Sequence, residues 1–228
     1  MEILRGGLTL ELPEGVFPLS TDSILLADFV RLGANATVLD LCSGGGTLGM
    51  LLCAKDANCT VTGVELDVLS HEAALENIRR NDLPRLESIC ADVRTVNQLF
   101  RPGSFRICVS NPPYFSGGPA SKTLSTARRE DLCQPEDLFQ AAAWALCYGG
   151  DFYIVHKPER LGQLCGCAVK AGLEPKRLRL VRHRVGGAVS LVLLQCRKGG
   201  KPGMIWEELT LFDESGHPTA EYKEIYHI

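Results

Sequence analysis

The feature that most constrains this chain is a rhythm of short, continuous apolar runs alternating with helical stretches. Residues 37–42, 60–65, 86–91, 105–110 and 151–156 read as strands. Thr47–Ala54, Leu69–Asn81, Pro135–Cys147 and Pro158–Ala171 read as helices between and after them. Strands this apolar are buried on both faces, and intervening helices are the crossovers that parallel strands require. Two further runs, 177–182 and 189–196, flank a Gly186–Gly187 turn, which suits an antiparallel hairpin. The expected fold class is α/β: a doubly wound, mostly parallel seven-stranded sheet with an antiparallel hairpin at one edge. The chain divides into an N-terminal segment (1–35), the sheet domain (36–200) and a C-terminal extension (201–228), which follows the turn-rich Lys198-Gly-Gly-Lys-Pro-Gly203.

Composition narrows the class. With 45% hydrophobic and 22% charged residues, the 228-residue chain is neither disordered, collagenous nor coiled-coil. No run of about 18 uncharged apolar residues exists, so no spanning helix is expected. Glu2, Arg5, Glu11 and Glu14 break any secretory leader, and the expectation is a soluble cytoplasmic protein. The ten cysteines include no Cys-x-x-Cys pair, and Cys165-Gly-Cys167 is poorly spaced for zinc. They are expected to be small buried hydrophobes in a reducing compartment, with Cys42, Cys90, Cys108 and Cys196 in strand-like runs and no metal bound. The net charge of −3 does not suggest a polyanion binder. Its distribution is uneven: from His156 to Lys201 eleven Lys and Arg face only Glu159 and Glu174, a segment of +9 that leaves −12 elsewhere. Such a segment is either a nucleic-acid footprint or a solvated face.

The chemistry gathers at predicted strand ends. The first strand closes as Asp40-Leu-Cys-Ser-Gly-Gly-Gly46, a turn whose glycines let the backbone approach a ligand. It has neither the dinucleotide fingerprint nor the lysine of a P-loop, so an uncharged part of the ligand is expected there. Glu65 ends the second strand, where an acid can accept two ribose hydroxyls; its alternative is a plain surface acid. Asp92 follows the third strand and suits an adenine edge or, equally, a helix N-cap. A nucleoside without phosphates fits this set, and S-adenosylmethionine is the common one. The fourth strand ends Ser110-Asn-Pro-Pro-Tyr-Phe115. Prolines stiffen the backbone and leave carbonyls free to accept. The Asn111 amide oxygen and the Pro112 carbonyl can hold two hydrogens of a planar amine, while Tyr114 stacks on its ring.

Asp40–Gly46, Val64-Glu65-Leu66 and Asn111-Pro-Pro-Tyr114 resemble the ordered motifs of the Rossmann-like class I S-adenosylmethionine-dependent methyltransferases, in the subgroup that methylates amino or amide nitrogens. Phe17-Pro-Leu-Ser-Thr-Asp22, Ala127-Arg-Arg-Glu130, His156-Lys-Pro-Glu-Arg160 and Lys198–Gly203 further resemble the bacterial tRNA1(Val) adenosine-37 N6-methyltransferase family, in its Gram-positive form. The resemblance implies that Asp40, Ser43, Gly44 and Gly46 line the cofactor's methionine end. Glu65 and Leu66 then meet its ribose side and Asp92 its adenine, Thr21 and Asp22 close the pocket from segment 1–35, and Asn111, Pro112, Pro113 and Tyr114 hold the target base. Cys42 stands where the superfamily usually has glycine, and Arg129 where the tRNA family has histidine.

The activity expected is methyl transfer to the N6 amine of an adenine in RNA, a tRNA anticodon-loop adenosine above all. Lys122, Arg128, Arg129, Lys157, Arg160, Lys176 and Arg177 are the candidate RNA contacts, with a solvated surface as their alternative. The expected partner is tRNA, with no membrane and no metal, and the chain a monomer or weak homodimer. Two other readings stay open: methylation of a glutamine side-chain amide in a protein, and a catalytically silent S-adenosylmethionine-binding module.

Overall fold

The computed structural model describes residues 1–113 and 133–226. An antiparallel ribbon, β1 (Glu2–Ile3) and β2 (Thr9–Leu10), precedes helix α1 (Thr21–Phe29). The repeating part runs β3 (Thr37–Leu41), α2 (Thr47–Lys55), β4 (Thr60–Glu65), α3 (Val68–Arg80), β5 (Leu86–Cys90), α4 (Val96–Leu99) and β6 (Phe105–Ser110). It continues with α5 (Pro135–Ala145), β7 (Leu146–His156), α6 (Leu161–Lys170), β8 (Leu173–Arg184), β9 (Val189–Lys198), β10 (Ile205–Phe212) and α7 (Ala220–Tyr226).

Among the described residues, eight strands form one sheet in the order β10-β8-β9-β7-β6-β3-β4-β5. Only β9 runs against its neighbours, pairing antiparallel with β7 and β8. The chain winds outward from β3 through β4 to β5, then returns to β6 on the other flank of β3. That reversal opens a crevice at the carboxyl ends of β3 and β6, where doubly wound sheets bind ligands.

The mostly parallel sheet matches the expectation, with eight strands instead of seven. The extra strand is β10, from the tail, which pairs parallel with β8 from Ile205↔Arg177 to Phe212↔Arg184. The hairpin of β8 and β9 therefore lies one strand in from the edge. β10 is hard to read in sequence because only Leu209 and Leu211 of its eight residues are buried. A half-exposed edge strand lacks the continuous apolar run of the interior ones.

Alternate side chains of the inner strands feed two cores, one per face. Val38, Ile107, Val109 and Tyr153 point into one with α1 and α2. Leu39, Cys108, Phe152 and Ile154 point into the other with α5 and α6. Phe139 of α5 meets Phe152 edge-on at 5.0 Å. Cys108 and Cys196 are fully buried, as expected, whereas Cys90 on the edge strand β5 is exposed. No helix of the described residues is long and apolar enough to cross a membrane.

Candidate active site

The glycine turn after β3 is built from left-handed residues. Cys42, Gly44 and Gly46 have φ of 61°, 55° and 83°. The turn folds back so that the Cys42 and Ser43 N–H groups both donate to the Val64 carbonyl, at 3.0 and 3.2 Å. Ser43 thereby lies over Gly63 of β4: a Cβ at Gly63 would come within 2.7 Å of Ser43 Oγ. A glycine inside a buried strand is thus explained by the turn that crosses it. Glu65 then fastens the turn. Its Oε2 accepts the Gly44 N–H and its Oε1 the Asp67 N–H, both at 2.8 Å. Asp67 in turn caps α3, accepting the Ser70 N–H at 3.0 Å. Glu65 is therefore a fastening acid at the rim, not a plain surface one.

A cavity of about 450 Å³ opens at this rim. Asp40, Ser43, Gly44, Glu65 and Leu66 line it from β3 and β4, and Asn111, Pro112 and Pro113 from the end of β6. Phe17, Pro18 and Ser23 line it from the N-terminal segment. Asp40 is 1% exposed, and its Oδ2 and the Ser43 Oγ are buried with no hydrogen-bond partner among the described residues. Burial, reinforced by the nearby Glu65 carboxylate, pushes the Asp40 carboxyl well above the usual carboxylate range. A buried carboxyl with one oxygen unpaired, and an unpaired hydroxyl three residues on in the same cavity lining, are the complement of an ammonium group. Each Glu65 oxygen keeps a lone pair for a hydroxyl donor. The set fits a nucleoside that carries a free amino acid, such as S-adenosylmethionine.

At the opposite lip, Ser110 Oγ donates to the Leu41 carbonyl at 2.7 Å, tying β6 to β3 just before Asn111. The Asn111 Nδ2 donates to Ser23 Oγ at 2.9 Å. The remaining end of the amide, Oδ1, is an acceptor.

Several expected site residues lie elsewhere. Thr21 and Asp22 are not in the cavity lining; Thr21 meets the Tyr226 hydroxyl of α7, and Ser23, in the same first turn of α1, lines the cavity instead. Gly46 begins α2, its α-carbon facing Ala74 of α3, so its small size serves helix packing. Asp92 is an N-cap, accepting the Arg94 N–H at 2.9 Å, and it also holds the Arg94 guanidinium, which keeps its carboxyl below the usual range. Tyr114, Lys122, Arg128 and Arg129 lie outside the described residues. Neither Ser23 nor Phe17 is among the site residues expected from sequence; the motif Phe17–Asp22 contains Phe17 and ends one residue before Ser23.

The basic segment does not form one patch. Arg177 is buried, ion-paired to Glu207 at 2.9 Å and stacked on Phe29. Lys176 donates to the Lys201 and Gly203 carbonyls at 2.8 and 2.6 Å. Arg177 is level with Asp40 in the sheet register, but β8 lies four strands from β3, and neither residue lines the cavity. Arg179 and Arg197 are likewise engaged, with Glu207 and Asp151. These cations hold the β8–β9–β10 flank together. Lys157 and Arg160, by contrast, follow the carboxyl end of β7, on the same rim as Asn111.

The sequence from Glu14 to Gln163 matches the family described as the methyltransferase small domain (residues 14–163). The chain belongs to that family. Its curated relatives include a protein of Shewanella halifaxensis named tRNA1(Val) (adenine(37)-N6)-methyltransferase, 32% identical over 75% of this chain and 69% of that one. A protein of Photobacterium profundum with the same name is 27% identical over 89% of this chain and 87% of its own. The resemblance drawn from the strand-end motifs is thus borne out. In fold, the structure is similar to a predicted O-methyltransferase, protein Atu636 from Agrobacterium tumefaciens, with a TM-score of 0.77 at 20% identity over 91% of this chain and 96% of that one.

Proposed function

We propose that this methyltransferase transfers the methyl group of S-adenosylmethionine to the N6 amine of an adenine in tRNA, at an anticodon-loop adenosine. The observation that carries the reading is that one cavity holds both halves of such a reaction. Asp40, Ser43 and Glu65 stand on one side, and Asn111-Pro112-Pro113 on the other. The names of the relatives support tRNA as the acceptor.

When bound, S-adenosylmethionine supplies a methyl group already activated on a sulfonium, so the protein's task is alignment. Asp40 would take the cofactor's ammonium and Glu65 its ribose hydroxyls. Asn111 Oδ1 and the Pro112 carbonyl would accept the two hydrogens of the target amine. Those bonds favour a more tetrahedral nitrogen and direct its lone pair toward the cofactor side of the cavity. Holding two reactants in register is worth roughly 7–11 kcal/mol of barrier. A loop base reaches such a pocket with little unstacking cost. Tyr114 would stack on the base, and Lys157 and Arg160, at the same rim, would meet backbone phosphate.

The acceptor class is tested by giving the purified protein labelled S-adenosylmethionine and an extract of cells lacking it. Ribonuclease treatment is expected to abolish methyl acceptance. Acceptance that survives ribonuclease but not protease would move the reading to a protein amide.

A further inference from the structure

Asn111 lies at the centre of the proposed chemistry, but an amide has two ends of opposite character. Its oxygen can accept a hydrogen from the target amine, whereas its NH2 would face that amine donor to donor. Rotation by 180° about the last side-chain torsion exchanges them at no steric cost. Something must therefore choose the end that faces the cavity, and the Asn-Pro-Pro-Tyr motif alone does not.

Ser23 occupies the position from which that choice is made. It lies on the third residue of α1, is 5% exposed, and lines the same cavity as Asn111. Its Oγ accepts from Asn111 Nδ2 at 2.9 Å. A lone hydroxyl could hold either end of an amide, since it can both donate and accept. Here the hydroxyl has a second neighbour. The Oγ of Ser20, the N-cap of α1, lies 3.5 Å from Ser23 Oγ and accepts the Ser23 N–H at 3.4 Å. Either hydroxyl of this pair can donate; with Ser23 donating to Ser20, a lone pair of Ser23 is left toward Asn111. The run Asn111 Nδ2 to Ser23 Oγ to Ser20 Oγ then points one way, and Oδ1 is the end left for substrate.

We propose that Ser23 is a positioning residue for methyl transfer, fixing the Asn111 amide with its oxygen toward the acceptor amine. The proposal rests on the reading of Asn111 given above. It also gives the N-terminal segment a second role: besides lining the cavity, it sets the polarity of the group at the opposite lip.

The test compares Ser23→Ala, Ser23→Thr and Ser23→Cys in single-turnover methyl transfer to tRNA at saturating substrate, with cofactor affinity and melting temperature measured alongside. Ser23→Ala is expected to slow transfer by about 10- to 100-fold, as for a reacting group misplaced by about an ångström. Cofactor Kd should stay within roughly threefold, because the substitution changes no charge and leaves Asp40, Ser43 and Glu65 in place. Ser23→Thr, which keeps the hydroxyl, should recover most of the rate. Ser23→Cys keeps the volume without a comparable acceptor and should not, which covers the case in which Ser23→Ala fails to fold. A Ser23→Ala protein that transfers at the parent rate, a loss that tracks cofactor affinity, or equal rates for the Thr and Cys variants would each overturn the proposal. Asn111→Ala separates the two levels. If it transfers normally, the reading of the motif fails whatever Ser23 does; if it is inactive while Ser23→Ala is not, only the role of Ser23 fails.

Discussion

Asp40 sits in the cavity as a carboxyl that burial and Glu65 together keep protonated above the usual range. A ligand ammonium needs the ionised form. Binding should therefore release a proton, and cofactor affinity should rise with pH, by up to tenfold per unit, until the raised pKa is passed. Calorimetry of cofactor binding across this range is expected to find that slope and to lose it in Asp40→Asn. A flat profile in the parent protein would remove Asp40 from the ammonium's site. Cys42 shows a different kind of residue-level constraint. The superfamily's usual glycine there makes sense at φ 61°, a region that is unfavourable for side chains by roughly 1–2 kcal/mol. The positions of Asp40, Glu65 and Asn111 were legible because each stands in or just after the last residues of an apolar run. The two fates of Asp92, adenine contact or N-cap, were not separable, because the same carboxylate at the same strand end satisfies both. Arg94, two residues on, favours the cap.

At the scale of elements, the turn after β3, strand β4 and helix α3 behave as one unit, and that unit also carries the N-terminal segment. Asn77 of α3 is fully buried. Its Oδ1 accepts the Glu11 N–H at 3.0 Å, while its Nδ2 donates to the Glu11 carbonyl at 3.0 Å and to the Gly45 carbonyl at 3.1 Å. One turn on, Asn81 Oδ1 accepts the Thr9 N–H at 2.7 Å. The segment is thus held by side-chain amides that imitate a neighbouring strand. Nothing in the sequence marks this, because asparagines on a helix ordinarily read as its polar face. Asn77→Ala orphans three backbone groups and is expected to cost about 2–4 kcal/mol in chemical denaturation; a loss under about 0.5 kcal/mol would mean that water replaces them readily. Gly63→Ala tests the crossing of the turn over β4. Its Cβ would force Ser43 toward the cavity, at about 1–3 kcal/mol of overpacking, and should weaken cofactor binding by roughly tenfold. Unchanged affinity in a folded Gly63→Ala protein would place Ser43 outside the binding surface.

For the molecule as a whole, the parallel sheet was legible because interior strands are apolar on both faces, and the site followed from its carboxyl rim. The far flank was not. Its cations looked like a polyanion footprint of +9 in sequence. In space, Arg177 and Arg179 meet Glu207 of β10, a strand more than twenty residues on, and Arg177 also stacks on Phe29 of α1. Charge counted along a chain does not reveal which charges are neutralised by distant partners. The case for an RNA acceptor consequently rests on the site and on the relatives, not on the basic segment. The measurement that bears most directly on it is transfer from labelled S-adenosylmethionine to bulk tRNA from cells lacking this gene, followed by digestion to nucleosides. Label in N6-methyladenosine is expected. Label confined to protein, or none anywhere despite measurable cofactor binding, would contradict it.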